Sequence, residues 1–158
     1  MRDVEPAEGG REGEGEGFSR HDCDVAYRAT TYRLHLDAAC FDLRIGLAHP
    51  AFRAWLQSRE SDKFAIITAY NPASVQLGFA ENAERQRRLE NELRQLACLA
   101  GQGENLADDT GWPVEPSCLA LGLSWEEARR LGAAYGQNAV LVGGGDAIPR
   151  LLWIEEDK

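Results

Sequence analysis

The sequence lacks the features of membrane, secreted and nucleic-acid-binding proteins. Its 158 residues contain no apolar run near the roughly 18–20 residues that cross a bilayer, and residues 1–17 lack the apolar core of a signal peptide. Lysine and arginine number 17 against 26 acidic residues, so the net charge is −9 at pH 7. Negative charge disfavours nucleic acid or an anionic membrane surface as a partner. We therefore expect a cytoplasmic protein that binds neither nucleic acid nor membrane.

Sequence motifs for metals and phosphates are also missing. The four cysteines are scattered, without a C-x-x-C pair or a histidine at zinc-ligand spacing, so we predict no metal site. The run Gly143-Gly144-Gly145 is not followed by the Lys-Ser or Lys-Thr of a phosphate loop, so it is interpreted as a turn between strands. We therefore predict no cofactor.

The chain begins with an acidic, glycine-rich leader. Residues 1–24 hold eight acidic residues against three arginines, and they contain almost no large apolar side chains. Such a segment cannot bury enough apolar surface to offset its loss of conformational entropy, so we predict that it is disordered. Residues 25–158 are predicted to form a single domain, because a chain of this length supports one hydrophobic core.

Apolar periodicity predicts a single α+β domain with a mixed, largely antiparallel sheet. Alternation at residues 27–36 and 41–47 predicts a hairpin, and the continuous apolar run at residues 63–69 predicts a central strand. The predicted order is β-β-α-β-α-(β)-β-α-β-β, with about six strands and three helices. The bracketed strand is left open because residues 101–113 have the composition of a loop.

The three predicted helices each carry a sequence signal. Pro50 suits the first turn of a helix over residues 50–59. Glu, Arg, Leu and Ala predict a long helix over residues 79–97. Ser124 and Glu127 form a capping box, which begins a helix that Gly136 ends in a left-handed conformation.

Two amides interrupt the apolar face of the long helix. Asn82 and Gln86 lie at helical spacing with otherwise apolar positions, namely Phe79, Leu89, Leu93 and Leu96. A buried amide must be hydrogen-bonded or face a wet pocket, because unpaired burial costs about 1–3 kcal/mol per group. Two interpretations stay open: the amides hold the preceding loop, or they face a polar ligand near the positive end of the helix dipole.

A carboxylate stands at the entry to a predicted buried strand over residues 117–122. Pro113 and Pro116 flank Glu115 and restrict its backbone. Glu115 is a candidate general acid or base, and it is also a candidate partner of Arg85 in an ion pair. If the site is catalytic, Arg85 would stabilise an anion.

These observations define a candidate site and two hypotheses for its role. Glu115 and Arg85 are its candidate catalytic residues. The candidate ligand-binding residues carry amide or hydroxyl groups: Asn71, Ser74, Asn82, Gln86, Ser117, Gln137 and Asn138. Under the first hypothesis they bind a small polar ligand, such as a sugar, a nucleotide or an amide-bearing substrate. Under the second they form an internal network in a non-catalytic regulatory or protein-interaction domain.

Four sequence blocks occur in the order of a known family. They are Ile67-Thr68-Ala69-Tyr70-Asn71-Pro72-x-Ser74, Glu81-Asn82-x-x-Arg85, Trp112-Pro113-x-Glu115-Pro116-Ser117 and Gly136-Gln137-Asn138-Ala139, preceded by Arg44-Ile45-Gly46. Together they resemble the bacterial family called domain of unknown function 3293, over about residues 25–153. The resemblance implies a bacterial protein, implies no particular activity, and places the polar candidates in the motif blocks of the family.

Overall fold

The computed structural model describes residues 19–109 and 111–155, which contain four α-helices and seven strands. In chain order they are α1 (Arg20–Arg28), β1 (Thr31–Leu36), β2 (Ala39–Leu43), α2 (Pro50–Ser58), β3 (Phe64–Ile67), α3 (Phe79–Gln95), β4 (Leu99–Leu106), β5 (Glu115–Leu121), α4 (Trp125–Ala134), β6 (Ala139–Gly143) and β7 (Arg150–Trp153). The predicted α+β class is confirmed. No helix in the described ranges has the length and apolarity needed to span a bilayer.

The strands form one curled sheet in the order β2-β1-β4-β5-β3-β6-β7. Every strand pair is antiparallel, whereas the sequence predicted a mixed, largely antiparallel sheet. The curl brings the two edges of the sheet close together. There, Gly46 N, which follows β2, donates a hydrogen bond of 2.8 Å to Pro149 O, which precedes β7. The sheet therefore has a concave and a convex face.

The concave face holds one hydrophobic core, to which both edges of the sheet contribute. Leu34 of β1 and Leu43 of β2 are fully buried there with Leu141 of β6. Helix α2 covers one end of this face and inserts Phe52, whose ring meets Phe64 edge to face at 5.1 Å between centroids. The predicted hairpin and the helix beginning at Pro50 are both present.

The convex face is covered by α3 and α4. Leu89 and Leu93 of α3 are fully buried in a second core on this face. The predicted apolar face of the long helix is wrong at its two ends, since Phe79 is 81% exposed and Leu96 is 50% exposed. Both residues lie at the ends of α3, and only the middle of the helix packs on the sheet. The capping box at Ser124 is present as predicted.

Strand β4 occupies residues that composition assigned to a loop. The prediction of a loop is wrong for residues 101–106, and the bracketed strand exists. The glycines in this strand allow close packing on β1. A Cβ at Gly103 would stand 2.2 Å from Arg33 O, and one at Gly101 would stand 2.3 Å from a methyl carbon of Leu36. Glycine here marks a close approach between strands rather than a turn.

Helix α1 corrects the predicted boundary of the leader. Residues 20–24 lie in this helix, with Cys23 buried, so the folded part begins before residue 25. Tyr27 and Arg28, predicted as strand, also belong to α1. Ser19 begins the helix, since its hydroxyl accepts from Asp22 N at 3.0 Å. The remainder of the predicted leader, residues 1–18, lies outside the described residues.

Candidate functional site

A cavity of about 400 Å³ lies on the concave face of the sheet, beneath α1. Its apolar wall is formed by sheet residues that include Tyr32, Ile66, Leu141 and Leu151. Its polar wall includes Asn71, Ser74, Glu115, Gln137 and Asn138, all predicted from the sequence as site residues. Arg85, Asn82, Gln86 and Ser117 do not line the cavity. Its mixed lining and its size are typical of small-molecule sites.

Asn71 connects the polar wall to α3. It has the left-handed backbone angles φ 46° and ψ 67°, and its side chain is buried. Asn71 N donates to Asn82 Oδ1 at 2.9 Å, and Asn82 Nδ2 donates back to Asn71 Oδ1 at 2.8 Å. The remaining amide donor, Asn71 Nδ2, reaches Glu115 Oε2 at 2.7 Å. Asn82 therefore orients Asn71, and Asn71 in turn holds Glu115.

Gln86 and Arg85 hold the chain that leaves β3. Gln86 Oε1 accepts from Ala69 N at 2.9 Å, so this buried amide satisfies a buried backbone group. Arg85 Nε donates to Ala69 O at 2.8 Å, and its guanidinium also donates to Tyr135 O. Asn82 and Gln86 thus make the loop-holding contacts of the first interpretation, and neither reaches the cavity.

The predicted ion pair between Arg85 and Glu115 does not form. Arg85 is directed to the backbone carbonyls of Ala69 and Tyr135, whereas Glu115 is bonded to Asn71 and Trp112. The backbone carbonyls satisfy the guanidinium, so it needs no carboxylate partner. Arg85 is therefore a positioning residue of the loop, and its predicted catalytic role has no geometric support.

Glu115 is a carboxylate without a cationic partner among the described residues. Its Oε2 accepts from Asn71 Nδ2 at 2.7 Å and from Trp112 Nε1 at 2.9 Å. Burial raises the pKa of Glu115 and outweighs these hydrogen bonds, which lower it. The described cavity lining contains no Lys, Arg or His, while Asp22 and Asp109 add two further carboxyl groups. The electrostatics of the cavity disfavour an anionic ligand.

Asn138 and Gln137 join β6 to α1 and to the loop after β3. Asn138 Nδ2 donates to Ser74 Oγ at 3.2 Å and lies 3.3 Å from Tyr27 OH. Gln137 Nε2 donates to Tyr70 O at 3.0 Å. Cys23 of α1 also faces this cluster, and burial raises the pKa of its thiol, which favours the unreactive protonated form.

Several residues that line the cavity were not predicted from the sequence. Cys23 and Tyr27 lie on α1, in segments predicted as leader and strand, and the pair Ser19 and Asp22 was the available signal for a helix start. Asn105 lies on β4, in the segment predicted as loop, directly opposite Glu115 on β5. Because composition pointed to a loop there, no strand register could place Asn105 beside Glu115.

Ser117 lies next to the cavity without lining it. It is 2% exposed, and its hydroxyl has no hydrogen-bond partner within the described residues. Across residues 19–109 and 111–155, no group of three or more His, Cys, Asp or Glu side chains could hold a metal ion.

Comparison with known proteins gives one family match. The model of the family described as "Protein of unknown function (DUF3293)" matches residues 67–140. All four sequence blocks fall inside this range, while Arg44-Ile45-Gly46 falls outside it. No match was found among curated proteins or among solved structures. The resemblance seen in the sequence is therefore confirmed over the matched range, residues 67–140.

Proposed function

We propose that the protein binds a small polar ligand in the cavity beneath α1, and that Glu115 is the residue that recognises it. The observation that carries the proposal is the environment of Glu115. A half-buried carboxylate faces a cavity of about 400 Å³, and no described residue lining that cavity is cationic. Burying a charge without a partner costs free energy, so such a group is retained where a ligand supplies the partner.

The contacts behind Glu115 also support a binding site. Asn82 orients Asn71, which donates to Glu115 from one side, while Trp112 donates from the other. These contacts fix the position of Oε2 and leave Oε1 without a donor from the described residues. A recognition group that its neighbours hold in place loses little conformational entropy when the ligand binds.

A catalytic role for Glu115 is the second candidate. The raised pKa brings this carboxyl closer to neutral pH, which favours exchange of a proton with a bound substrate. The other hypothesis from the sequence, a regulatory or interaction domain, has its support in the loop contacts of Asn82, Gln86 and Arg85. The four cysteines are free thiols, which suits the proposed cytosolic location.

A thermal-shift screen with a blocked-cavity variant tests ligand binding. The probes are glucose, adenosine, cytidine, phenylalanine and phenethylamine, each at millimolar concentration. Ala26 lines the cavity from α1, so Ala26→Trp should fill its entrance. The matched control is Ala51→Trp on the exposed surface of α2.

Binding in this cavity predicts a specific pattern across the three proteins. At least one probe should raise the Tm of the wild type and of Ala51→Trp by several degrees, because a ligand at 100 times its Kd adds about 2.7 kcal/mol to stability. The same probe should leave the Tm of Ala26→Trp unchanged. The proposal fails if no probe shifts the wild type, or if Ala26→Trp responds as strongly as the wild type.

A further inference from the structure

Two buried side-chain atoms in the described ranges lack a hydrogen-bond partner, and both lie beside Glu115. They are Asn105 Oδ1 and Ser117 Oγ. Asn105 on β4 stands directly opposite Glu115 on β5, so the two side chains share a face of the sheet. Ser117 follows Glu115 by two residues on the same strand and therefore points to that face as well.

These unpartnered atoms are a second observation, independent of the charge of Glu115. Each unsatisfied buried polar group destabilises the folded state, so proteins seldom contain such groups without a reason. All the unpartnered atoms can act as hydrogen-bond acceptors, and the Oε1 atom of Glu115 is a further acceptor without a donor from the described residues. At the cavity, Asn105 Oδ1 and Glu115 Oε1 are therefore acceptors that receive no hydrogen bond from the described residues.

Building on the proposed function, we propose that the ligand is a primary amine in its protonated form, whose ammonium group donates to Glu115 and Asn105. An ammonium group carries three N–H donors around a compact charge. The open acceptors of Asn105 and Glu115 lie opposite each other on the neighbouring strands β4 and β5, so one compact donor group between the strands would meet both. This arrangement suits an ammonium better than the planar fork of a guanidinium.

The rest of the cavity defines the remainder of the ligand. Beyond Glu115 the wall is apolar, with Tyr32, Ile66 and Leu141 among its residues, which suits an aromatic or branched alkyl group. Asp22 and Asp109 also line the cavity and would repel a carboxylate. The ligand class is therefore an amine with an apolar group and without the carboxylate of an amino acid.

Asn105 has the freedom that this contact requires. Its Oδ1 atom accepts no hydrogen bond from any described residue, so no bond to that atom fixes the orientation of the amide. The terminal torsion of asparagine is broad, and rotation about it turns Oδ1 toward the cavity that Asn105 lines. Bound ammonium would then satisfy an acceptor that is unsatisfied in the free protein.

Isothermal titration with four matched probes tests the charge class. The probes share a phenyl group and differ at the polar end: phenethylamine, 2-phenylethanol, phenylacetate and phenylalanine. At pH 7.5 phenethylamine should bind at least about tenfold more tightly than each of the others, since a hydrogen bond between two charged groups is stronger than one between neutral groups. Equal or tighter binding of the alcohol, the carboxylate or the amino acid would overturn the proposal.

Variants locate the contact. Glu115→Gln should weaken phenethylamine binding about ten- to a hundredfold, and Asn105→Ala should weaken it by a smaller factor. Glu104→Gln is the matched control, because Glu104 is the neighbour of Asn105 on β4 and its side chain points to the opposite face. Unchanged affinity in Glu115→Gln would also overturn the proposal.

The outcomes separate this inference from the proposed function. If another probe binds and Ala26→Trp abolishes its binding, the cavity is a ligand site and only the amine class is wrong. If no probe binds at all, both proposals fail together.

Discussion

Two groups of polar residues in this molecule look alike in the sequence and behave differently in the structure. The loop network, formed by Asn71, Asn82, Arg85 and Gln86, is saturated: its amides and guanidinium are bonded to backbone groups and to each other. The cavity cluster, formed by Asn105, Glu115 and Ser117, has acceptors without donors. The difference teaches that polarity at a buried position indicates function only where hydrogen-bonding capacity is left over.

The two groups also differ in what they contribute to stability. Each contact of the loop network satisfies a buried group, so removing one partner leaves the other unpaired and lowers the free energy of unfolding. The cavity cluster carries a carboxyl whose pKa burial raises, together with unpartnered atoms, and both features disfavour the folded state. Residues that lower stability in this way are typical of sites kept for binding.

The largest effect is expected for Asn82→Ala. Asn82 accepts from the buried amide Asn71 N and donates to Asn71 Oδ1 and to Leu77 O, so its removal leaves several groups unpaired. We expect the free energy of unfolding to fall by about 2–5 kcal/mol in a urea titration. Asn91→Ala, at an exposed position of the same helix, is the control and should change it by less than about 0.5 kcal/mol. A loss below about 1 kcal/mol in Asn82→Ala would contradict the assignment of a saturated network.

The next largest loss of stability is expected for Arg85→Ala. Combining it with Glu115→Ala tests whether the two side chains interact. Arg85 is bonded to backbone carbonyls, so Arg85→Ala alone should cost about 1–3 kcal/mol. Because the two side chains share no contact, the effects of the two substitutions on the free energy of unfolding should add, whatever the sign of each, with a coupling energy below about 0.5 kcal/mol in a double-mutant cycle. A buried ion pair would instead couple them by several kcal/mol, and that result would restore the pair predicted from the sequence.

Local signals in the sequence predicted the elements that depend on local chemistry. Pro50 at a helix start, the capping box at Ser124 and left-handed Gly136 act within one turn of chain, so their meaning does not depend on distant residues. Strand β4 could not be predicted in this way. The glycines that give it the composition of a loop serve its packing on β1, which only the folded sheet reveals.

The candidate site likewise contains residues that the sequence predicted and contacts that it could not predict. Asn71 and Glu115 are 44 residues apart, and only the order of the sequence blocks linked them before the structure showed their hydrogen bond. The partner of Arg85 could not be predicted, because any backbone carbonyl competes with a carboxylate for a guanidinium. Asn105 was missed because its position opposite Glu115 follows from strand register, which a predicted loop does not have.

A change at Glu115 should act in the opposite direction to changes in the loop network. Burial raises the pKa of this carboxyl above its usual value of 4.5, so the folded protein holds the proton more tightly than the unfolded chain. The stability from that proton is present below the unfolded pKa and is lost as the pH rises through the folded pKa.

Glu115→Gln removes this titration and keeps an oxygen for Asn71 and Trp112. The variant should therefore have a higher Tm than the wild type at pH 8, and the difference should shrink toward pH 4. Melting curves at half-unit pH intervals measure this effect, with Glu81→Gln at an exposed position as the control. A constant difference between pH 4 and pH 8 would show that Glu115 does not titrate differently on folding.

The smallest effect is expected for Ser117→Ala, and its sign is the sharpest test of the comparison. The Ser117 hydroxyl is buried without a partner among the described residues, so its removal relieves an unsatisfied group and should leave stability unchanged or raise it by about 1 kcal/mol. Thr68→Val removes a hydroxyl from a position next to the same strand and is nearly isosteric. The Thr68 hydroxyl donates to Pro116 O at 2.7 Å and accepts from Tyr70 N at 3.1 Å, so its loss should cost about 1–3 kcal/mol. Urea titrations of both variants, compared with the wild type, give the two values. Similar losses in both variants would mean that Ser117 is satisfied in solution, and the cavity cluster would then lose one of its open acceptors.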